Sequence, residues 1–522
     1  MFKKSDKIFL TGLLTICLLT GFAVSYGTEK SNEQPPATVT SVKTYNIIDY
    51  GAKGDGKTID SPAINKAIEK AAANGGGTVF FPAGNYLSGS IHIKSNISLY
   101  LDQGATIVAA PVENISEYDK PENRISNMYE DFGHRHWNNS LIWGENLHDI
   151  SILGTGMIWG KGLVRSNKGE NDVRPNKSIS LYLCRNVIIR DVTMLHAGWF
   201  AILATGVDNL TIDNLKIDTN RDGMDIDCCR NVHISNCSVN SPKDDGICLK
   251  SSYGLGFARA TENVTITNCQ VSGYDEGSFL DGTFKKTGKN PTGRIKFGTE
   301  SNGGFKNITI SNCVFDYCRG LALEAVDGAM LEDVTITNIT MRNIVNTPIF
   351  LCIGSRMRGP EGTPLGKLRR VIISNVVAYN VDSLSSVIIS GIAGNEIEDV
   401  KLKDIKIYYK GGGTKEQAAR HVPVLEKKHP EPGRYGIMPA YGFYIRNVKG
   451  IQLENIDLKT ISSDLRPAFY LDGVTDADFK FVNAQMAPET HAIHLVSAEN
   501  VNLFQSLKLE NKFIENISNQ DL

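Results

Sequence analysis

VHISNC, residues 232–237, belongs to the short repeat that decides the fold of this chain. In each copy apolar and polar residues alternate, and an Asn or Asp precedes the last apolar residue. The copies are VIIRDV (187–192), LTIDNL (210–215), VHISNC (232–237), VTITNC (264–269), ITISNC (308–313), VTITNI (334–339), VIISNV (371–376), VKLKDI (400–405) and IQLENI (451–456). The nearest copies begin 22 or 23 residues apart. A period in the low twenties with alternating apolar residues is typical of a solenoid of stacked strands.

The repeat predicts an all-β fold, a single-stranded parallel β-helix in which each coil lies on the coil before it. Leucine-rich repeats have a similar period, but their Leu and Asn consensus is absent here. We expect the Asn side chains of successive copies to stack as a ladder that satisfies backbone groups of the turns. They are Asn236, Asn268, Asn312, Asn338 and Asn375. The cysteines beside them, such as Cys237, would then be buried apolar residues rather than disulfides or metal ligands.

Other segments set the predicted domain boundaries. Three lysines, an apolar run and small residues at the N-terminus predict a signal peptide, and so an exported protein, periplasmic or extracellular. SPAINKAIEKAAANGGG (61–77) predicts an amphipathic helix that caps the N-terminal end of the β-helix. The boundaries are 1–25 signal peptide, 26–42 linker, 43–510 β-helix with a long insertion at 411–446, and 511–522 polar tail.

Composition argues against several classes of partner. The net charge of −2 leaves no basic footprint for nucleic acid. No segment after the signal peptide is apolar enough to cross a bilayer. We expect a monomer that needs no cofactor and no bound metal.

Residues 220–250, NRDGMDIDCCRNVHISNCSVNSPKDDGICLK, contain five aspartates. Counting eight residues from Asn214 reaches Asp222, and counting eight from Asn236 reaches Asp244. The two acids are therefore predicted to be equivalent on successive coils, about 4.8 Å apart.

Asp245 adds a third carboxylate to this patch, and the same count one coil earlier places Trp199 beside it. Like charges this close raise at least one pKa and separate a proton donor from a proton acceptor, as glycoside hydrolysis requires. The alternative is a surface ladder of aspartates neutralised by Ca²⁺ or hydrogen-bonded in turns. Asp225 and Asp227 are predicted to be turn or strand-end residues.

Two motifs in this stretch carry a family resemblance. NRDGMD (220–225) resembles the N-T-D-G-x-D motif of glycoside hydrolase family 28, the polygalacturonase family, and DDGI (244–247) resembles its D-D-x-I/L motif. Three further segments are similar to the family: YNIIDYGAKGDG (45–56), FFPAGNYLSG (80–89) and SLIWGENLHDISILGTGMIWGKG (140–162). The resemblance covers residues 43–470 and implies a right-handed β-helix that hydrolyses a pectic polysaccharide or oligosaccharide with inversion.

The resemblance also implies roles for individual residues. Asp244 is the general acid, Asp222 and Asp245 hold the attacking water, and Asn220 supports them. The insertion at 411–446 favours exo action, because a long insertion can wall a cleft into a pocket.

Two family motifs are altered. A G-H-G motif is expected before FGTESNGG (297–304), but TGRIK (292–296) precedes that segment without a histidine. An R-I-K motif, which binds substrate carboxylate in the family, is expected near residues 320–324. Ala322 and Glu324 stand there instead.

Several further residues are candidates for substrate binding. Arg294 and Lys296 form a basic pair one coil before Glu324, so we expect either a neutral sugar or a uronate held by Arg294 or Lys296, with Glu324 in a changed subsite. Lys250 follows the acid pair and could meet sugar oxygens, or be a solvated strand end. Tyr441 in the insertion could stack on a sugar or pack the insertion.

The segment DFGHRHWNNS (131–140) contains an H-x-H pair. Because no matching ligand cluster is evident, it is predicted to be a substrate loop or plain surface rather than a metal site. Two alternatives to a hydrolase remain open. One is a Ca²⁺-dependent polysaccharide lyase with Arg294 or Lys250 as base, and the other is a non-catalytic carbohydrate-binding solenoid.

Overall fold

Alternating apolar residues form the strands of the computed structural model. It describes residues 43–131, 134–165, 172–286, 288 and 290–522. The predicted signal peptide and linker therefore lie outside the described residues. Each repeat strand pairs in parallel with the corresponding strand of the coil before it. The prediction of a parallel β-helix is confirmed.

Three ladders of strands form the walls. The first contains Thr44–Asn46, Gly77–Phe81, Ile97–Leu101, His148–Leu153, Arg185–Arg190, Asp208–Asp213, Arg230–Ser235, Thr261–Thr267, Phe305–Asp316, Met330–Arg342, Lys367–Val381, Ile397–Tyr409, Phe443–Thr460, Phe469–Lys480, Ile493–Phe504 and Lys512–Asp521. The second contains Asp55–Ile59, Gly84–Ser88, Ala105–Ala109, Met157–Trp159, Thr193–Leu195, Lys216–Asp218, Ser238–Asn240, Gln270–Ser272 and Asn483–Ala484. The third contains Ile91–His92, Ile142–Glu145, Lys177–Tyr182, Phe200–Thr205, Asp222–Asp227, Ile247–Ser251, Ile295–Ser301, Leu321–Ala325, Ile349–Ile353 and Val387–Ser390.

Helices are few among the described residues. The α-helices are Ser61–Ala73, Lys415–Ala418 and Pro432–Tyr435, and the 3₁₀-helices are Ile47–Tyr50, Val112–Glu117 and Ile125–Met128. The first α-helix packs on the first coils through Ile64, Ala67, Ile68 and Ala71, which are fully buried. This confirms the predicted capping helix. Within the described part of the chain, no helix has the length and apolarity to span a membrane.

Asparagines form the predicted ladder along the outside of the first wall. The Asn residues of six copies have φ between 54° and 57°, a left-handed conformation that Asn tolerates better than most residues: Asn214, Asn236, Asn268, Asn312, Asn338 and Asn375. Asn338 Nδ2 donates to Asn312 Oδ1 at 3.0 Å, and Asn375 Nδ2 donates to Asn338 Oδ1 at 3.2 Å. The ladder therefore links each coil to the next and sets their register.

Replacing Asn338 with Ala should lower the free energy of unfolding by about 1–2 kcal/mol, since both ladder hydrogen bonds are lost at a left-handed residue. Denaturant unfolding measures this. The Asn338→Asp variant, which keeps the acceptor as Asp404 does on another coil, should lose less. Equal stability of the Ala variant and the native chain would contradict a stabilising role for the ladder.

Isoleucines stack behind the ladder in the core. Ile212, Ile234, Ile266 and Ile310 are in register on successive coils and are fully buried. The nine cysteines of the described chain are all free and buried, which confirms that they serve as small apolar residues.

Two segments differ from their predicted boundaries. The insertion ends before the strand Phe443–Thr460, so it runs to about residue 442. Residues 511–522 were expected to be a polar tail, but Lys512–Asp521 is the last strand and pairs antiparallel with Ile493–Phe504. Its exposed polar residues Glu515 and Asn516 beside the buried Ile514 fit an edge strand, which covers the otherwise open C-terminal rung.

Candidate active site

The third ladder carries the acidic cluster. Met224 pairs with Ile247, so Asp245, two residues before Ile247, lies level with Asp222. Asp244 lies beside this pair in the preceding turn. The predicted equivalence of Asp222 with Asp244 is therefore wrong by one residue.

The shift arises in the turns. In the second ladder Asp218 pairs with Asn240, which follows the 22-residue spacing of the repeat. The turn from Asn240 to Ile247 is one residue longer than that from Asp218 to Met224. Strand pairing one coil earlier is shifted in the same way, because Phe200 pairs with Asp222 where Trp199 was predicted.

The three carboxylates meet at one cavity of about 340 Å³. Asp222, Asp244 and Asp245 each offer one oxygen within 4.8 Å of the others. Asp222 and Asp245 are almost fully buried, whereas 26% of the Asp244 side chain is exposed. The same cavity is lined by Asp131, His134, Trp199, Phe200, Arg221, Lys250, Lys296, Thr299, His429 and Glu431. Asp244 is the carboxylate of the three that a ligand entering the cavity can reach most easily.

Asp245 is held as an anion by two cations. Arg294 Nε lies 2.8 Å from its Oδ1, and Lys296 Nζ lies 3.0 Å from its Oδ2. Burial alone would raise the pKa of Asp245, but Lys296 and Arg294 hold it well below its usual range. The basic pair predicted to bind a substrate carboxylate therefore binds a carboxylate of the protein.

Asp222 and Asp244 behave in the opposite way. Burial and the neighbouring charge of Asp244 raise the pKa of Asp222 well above its usual range. Burial and the charge of Asp245 raise the pKa of Asp244, although Arg221 pairs with it. The Arg221 guanidinium in turn lies 4.0 Å from the centre of the Trp199 ring. Asp222 and Asp244 therefore compete for one proton beside the ionised Asp245. Such a cluster provides both a proton donor and a proton acceptor.

Chelation of a metal ion by this cluster is disfavoured by its existing partners. The three acids have the spacing of a metal site. However, Asp245 already forms ion pairs with Arg294 and Lys296, and Asp244 forms one with Arg221. A divalent cation would have to compete with these positive charges.

The segment with His134 was expected to be a substrate loop or plain surface; the surface alternative is wrong for His134, which is buried and lines the cavity. Its ring is fully buried, with Nε2 3.0 Å from Asp225 Oδ2 and Nδ1 3.1 Å from Glu300 Oε2. Burial alone would lower its pKa, but Glu300, Asp225 and Glu130 hold the pKa well above its usual value, which favours the imidazolium. The H-x-H pair marked this residue in the sequence, but nothing there showed that distant acids surround it.

Lys250 completes this buried layer. Its Nζ lies 3.1 Å from Glu300 Oε2 and 3.3 Å from Asp225 Oδ2. Asp225 is thus a buried residue inside a strand rather than a turn residue. Asp227 is the last residue of the strand Asp222–Asp227, which agrees with the strand-end alternative, and it accepts hydrogen bonds from the backbone and hydroxyl of Ser252. Lys250 lines the cavity, so the reading as a solvated strand end is wrong.

The insertion reaches the cavity through His429 and Glu431. Glu431 bridges two arginines: its Oε1 lies 2.7 Å from Arg294 Nη2, and its Oε2 lies 2.8 Å from Arg319 Nη1. Asp245, Arg294, Glu431 and Arg319 therefore form a chain of ion pairs from the acidic cluster to the insertion. No sequence pattern marks Glu431 as a site residue, because it lies 137 residues from Arg294 along the chain.

Apolar clusters bound the cavity along the β-helix axis. Toward the N-terminus, Trp137 packs with Tyr182, Phe200 and Leu203. Toward the C-terminus, the insertion packs on the outer face of the third ladder in a cluster of Ala322, Phe350, Cys352, Ile388, Val422, Tyr435, Met438 and Tyr444. Along the coils, the acids are therefore flanked by Phe200 on one side and by the insertion residues His429 and Glu431 on the other.

Four of the predicted substrate contacts do not line this cavity: Asn220, Arg294, Glu324 and Tyr441. Tyr441 is buried, and its hydroxyl donates to the carbonyl of Gln485 at 2.7 Å, so it packs the insertion. Asn220 lies one turn aside and lines a neighbouring cavity with Lys243 and Arg319. Trp199, Lys250 and Lys296 do line the catalytic cavity.

Glu324 is fully buried beneath the basic pair. Neither carboxylate oxygen has a hydrogen-bond partner among the described residues, and the nearest cations are Lys296 at 3.8 Å and Arg294 at 3.9 Å. Burial raises its pKa to about 7, against the lowering effect of Lys296 and Arg294. Glu324 is therefore a buried acid behind the site and does not reach the cavity.

Glu324 should make the fold pH-dependent. The pKa of Glu324 in the folded protein lies above its value in the unfolded chain. Its contribution to the free energy of unfolding is therefore most favourable below pH 4.5 and is lost as the pH rises through about 7. We expect the Glu324→Gln variant to gain roughly 3 kcal/mol in unfolding free energy relative to the native chain between pH 5 and pH 8. Urea unfolding at the two pH values measures this, and a pH-independent difference would contradict it.

Comparison with known proteins finds similarity to pectin-degrading enzymes of the polygalacturonase type. Residues 44–129 match the family described as rhamnogalacturonase A/epimerase, pectate lyase-like, and residues 159–292 match the right-handed beta helix region. An exopolygalacturonase of Platanus acerifolia is 25% identical over 406 residues, which cover 72% of this chain and 92% of that protein. The chain is related to the polygalacturonases.

Another relative and two solved structures extend this result. A probable polygalacturonase of Vitis vinifera is 25% identical over 325 residues, 57% of this chain, and the match spans 61% of that protein's length. The exopolygalacturonase of Thermotoga maritima superposes with a TM-score of 0.59 at 20% identity, covering 80% of this chain and 92% of that one. The family 28 exopolygalacturonase of Yersinia enterocolitica gives 0.62 at 16% identity, covering 84% and 78%. The right-handed β-helix that the two motifs imply is confirmed, and the relatives named polygalacturonase bear out the resemblance to that family.

Proposed function

We propose that the chain is an exo-acting glycoside hydrolase of pectic polysaccharide or oligosaccharide, of the galacturonan or rhamnogalacturonan type. The observation that carries the proposal is the cluster of Asp222, Asp244 and Asp245 in a pocket bounded on both sides along the coils. Relatives and structural neighbours named exopolygalacturonase support it.

Asp244 is the proton donor in this proposal. It is the most exposed of the three acids, its raised pKa keeps a proton available, and it lies first in the DDGI motif. It protonates the glycosidic oxygen as the bond to the anomeric carbon breaks. Asp222 accepts a proton from the attacking water, while Asp245, ionised by Arg294 and Lys296, orients that water and stabilises positive charge on the sugar.

Inversion of the anomeric centre is part of the proposal, as the family resemblance implies. The oxygen spacing within 4.8 Å is shorter than the carboxyl separation of about 6.5–9.5 Å usual for inverting enzymes. Proton NMR of the first product formed therefore decides the mechanism. Inversion is expected, and a product that keeps the substrate's configuration would replace the water-attack scheme with a covalent one.

Digestion of polygalacturonate, with products identified by mass, tests the activity. We expect saturated mono- or disaccharides from the first minutes onward, with no need for Ca²⁺. Unsaturated products, detected by ultraviolet absorbance and abolished by a chelator, would identify a lyase instead. We also propose that residues 1–25 direct export, which N-terminal sequencing of the protein purified from outside the cytoplasm would test.

A further inference from the structure

A second cavity, of about 540 Å³, adjoins the catalytic cavity. The same two turns line both cavities. Asn220 and Lys243 line the second cavity, whereas Asp222 and Asp244, which lie in the same turns, line the first. Arg319, in the second cavity, pairs with Glu431, which lines the first. The two cavities are therefore neighbouring compartments of one depression.

The second cavity contains polar atoms without partners. Asn220 Oδ1, Glu276 Oε1 and Arg319 Nε are buried and have no hydrogen-bond partner among the described residues. Buried polar atoms are costly when unsatisfied, and a ligand rich in hydroxyl and carboxylate groups would satisfy them. Thr292 and Lys243 add a hydroxyl and an ammonium group to the lining.

The charges of the lining differ in availability. Glu276 pairs with Arg165 at 3.1 Å, and Arg319 pairs with Glu431. Lys243 is exposed, and no carboxylate of the described chain lies within 4.0 Å of its ammonium group. Asp275 also faces this cavity. Lys243 is thus the lining cation that can accept an anionic partner at the smallest cost in existing contacts.

The pocket geometry decides which part of a substrate would occupy this space. Apolar clusters bound the catalytic cavity along the coils, so the rest of a polysaccharide must extend sideways over the turns that carry Asn220, Lys243 and Thr292. We propose that the second cavity binds the uronate residue on the leaving-group side of the bond that is cleaved, with Lys243 contacting its carboxylate. This inference rests on the proposed hydrolysis of a uronate polymer.

The test compares two substrates in two variants. Trigalacturonate fills the second cavity, whereas an aryl monogalacturonide places no uronate there. In Lys243→Ala the ratio of kcat/KM for the trisaccharide to that for the aryl glycoside should fall about tenfold. Lys306→Ala is the matched control, because Lys306 is an exposed lysine on the first ladder that pairs with Glu262. An unchanged ratio, or an equal fall in the control, would overturn the inference.

A binding measurement separates this inference from the proposed function. Calorimetry of trigalacturonate with Asp244→Asn and with the double variant Asp244→Asn/Lys243→Ala requires no catalysis. We expect the double variant to bind trigalacturonate about tenfold more weakly than Asp244→Asn does. Asp244→Asn should bind the methyl ester of the trisaccharide more weakly than the trisaccharide itself, by about the same factor. Lys243-dependent binding in a chain that cannot hydrolyse galacturonan would refute the function but keep the subsite. Hydrolysis with binding that is insensitive to Lys243 would refute the subsite alone.

Discussion

Asp244→Asn should lower kcat on polygalacturonate by about 10³–10⁴-fold, because the amide cannot donate a proton to the departing oxygen. The side chain keeps its shape, and Arg221 keeps an oxygen to bind, so the fold should be unaffected. Initial rates on the polymer and the thermal transition of each protein measure the two effects. The same substitution at Asp404, a half-buried ladder residue with φ of 53°, is the matched control and should leave activity unchanged.

The leaving group distinguishes the proton donor from the proton acceptor. A dinitrophenyl glycoside departs without protonation, so Asp244→Asn should retain most of its activity on that substrate. Asp222→Asn should be inactive on both substrates, since the attacking water still needs a base. If Asp222→Asn rather than Asp244→Asn retained activity on the dinitrophenyl glycoside, Asp222 would be the proton donor and Asp244 the proton acceptor. This outcome is informative because burial raises the pKa of both acids, so the direction of the pKa shifts does not by itself assign the two roles.

Arg294→Met should lower the free energy of unfolding by roughly 3 kcal/mol, because it leaves the buried carboxylate of Asp245 and the half-buried carboxylate of Glu431 with one cation fewer. The pKa of Asp245 should rise at the same time, so the acid limb of the kcat/KM profile should move to higher pH. Denaturant unfolding and the pH–rate profile measure the two effects.

Arg370→Met is the control for this substitution. Arg370 also bridges two acids, Glu332 and Asp333, but it is exposed on the first wall. Exposed ion pairs contribute about 1 kcal/mol or less, so its loss should be small and the pH profile should stay fixed. Equal destabilisation by the two variants would mean that the buried network around Asp245 has no special strength.

The repeat and the motifs predicted the wall of the fold better than the layout of the site. The Asn ladder follows from a pattern within each coil, and the structure reproduces it at Asn312, Asn338 and Asn375. The position of Asp244 does not follow from it, because one extra residue in a turn shifts the third ladder against the first. Counting from an Asn of one wall therefore misplaces side chains on another wall.

Contacts between distant segments were beyond the reach of the sequence. His134 and Glu431 are surrounded by charges contributed by other coils, so no local pattern marks their burial. The meaning of Arg294 and Lys296 also depended on a contact. Their spacing suggested a substrate anchor, but both are paired with Asp245. The sequence shows which residues are cationic, whereas only the folded structure shows which groups those cations bind.

A pocket bounded by Phe200 on one side and by the insertion on the other has a consequence for the rate law. Such a pocket receives a polymer only by its terminus, and each cut presents one new terminus in place of the old one. The rate should then follow the molar concentration of chain ends and not the mass of pectin. At equal sugar release, the viscosity of a pectin solution should remain near its starting value.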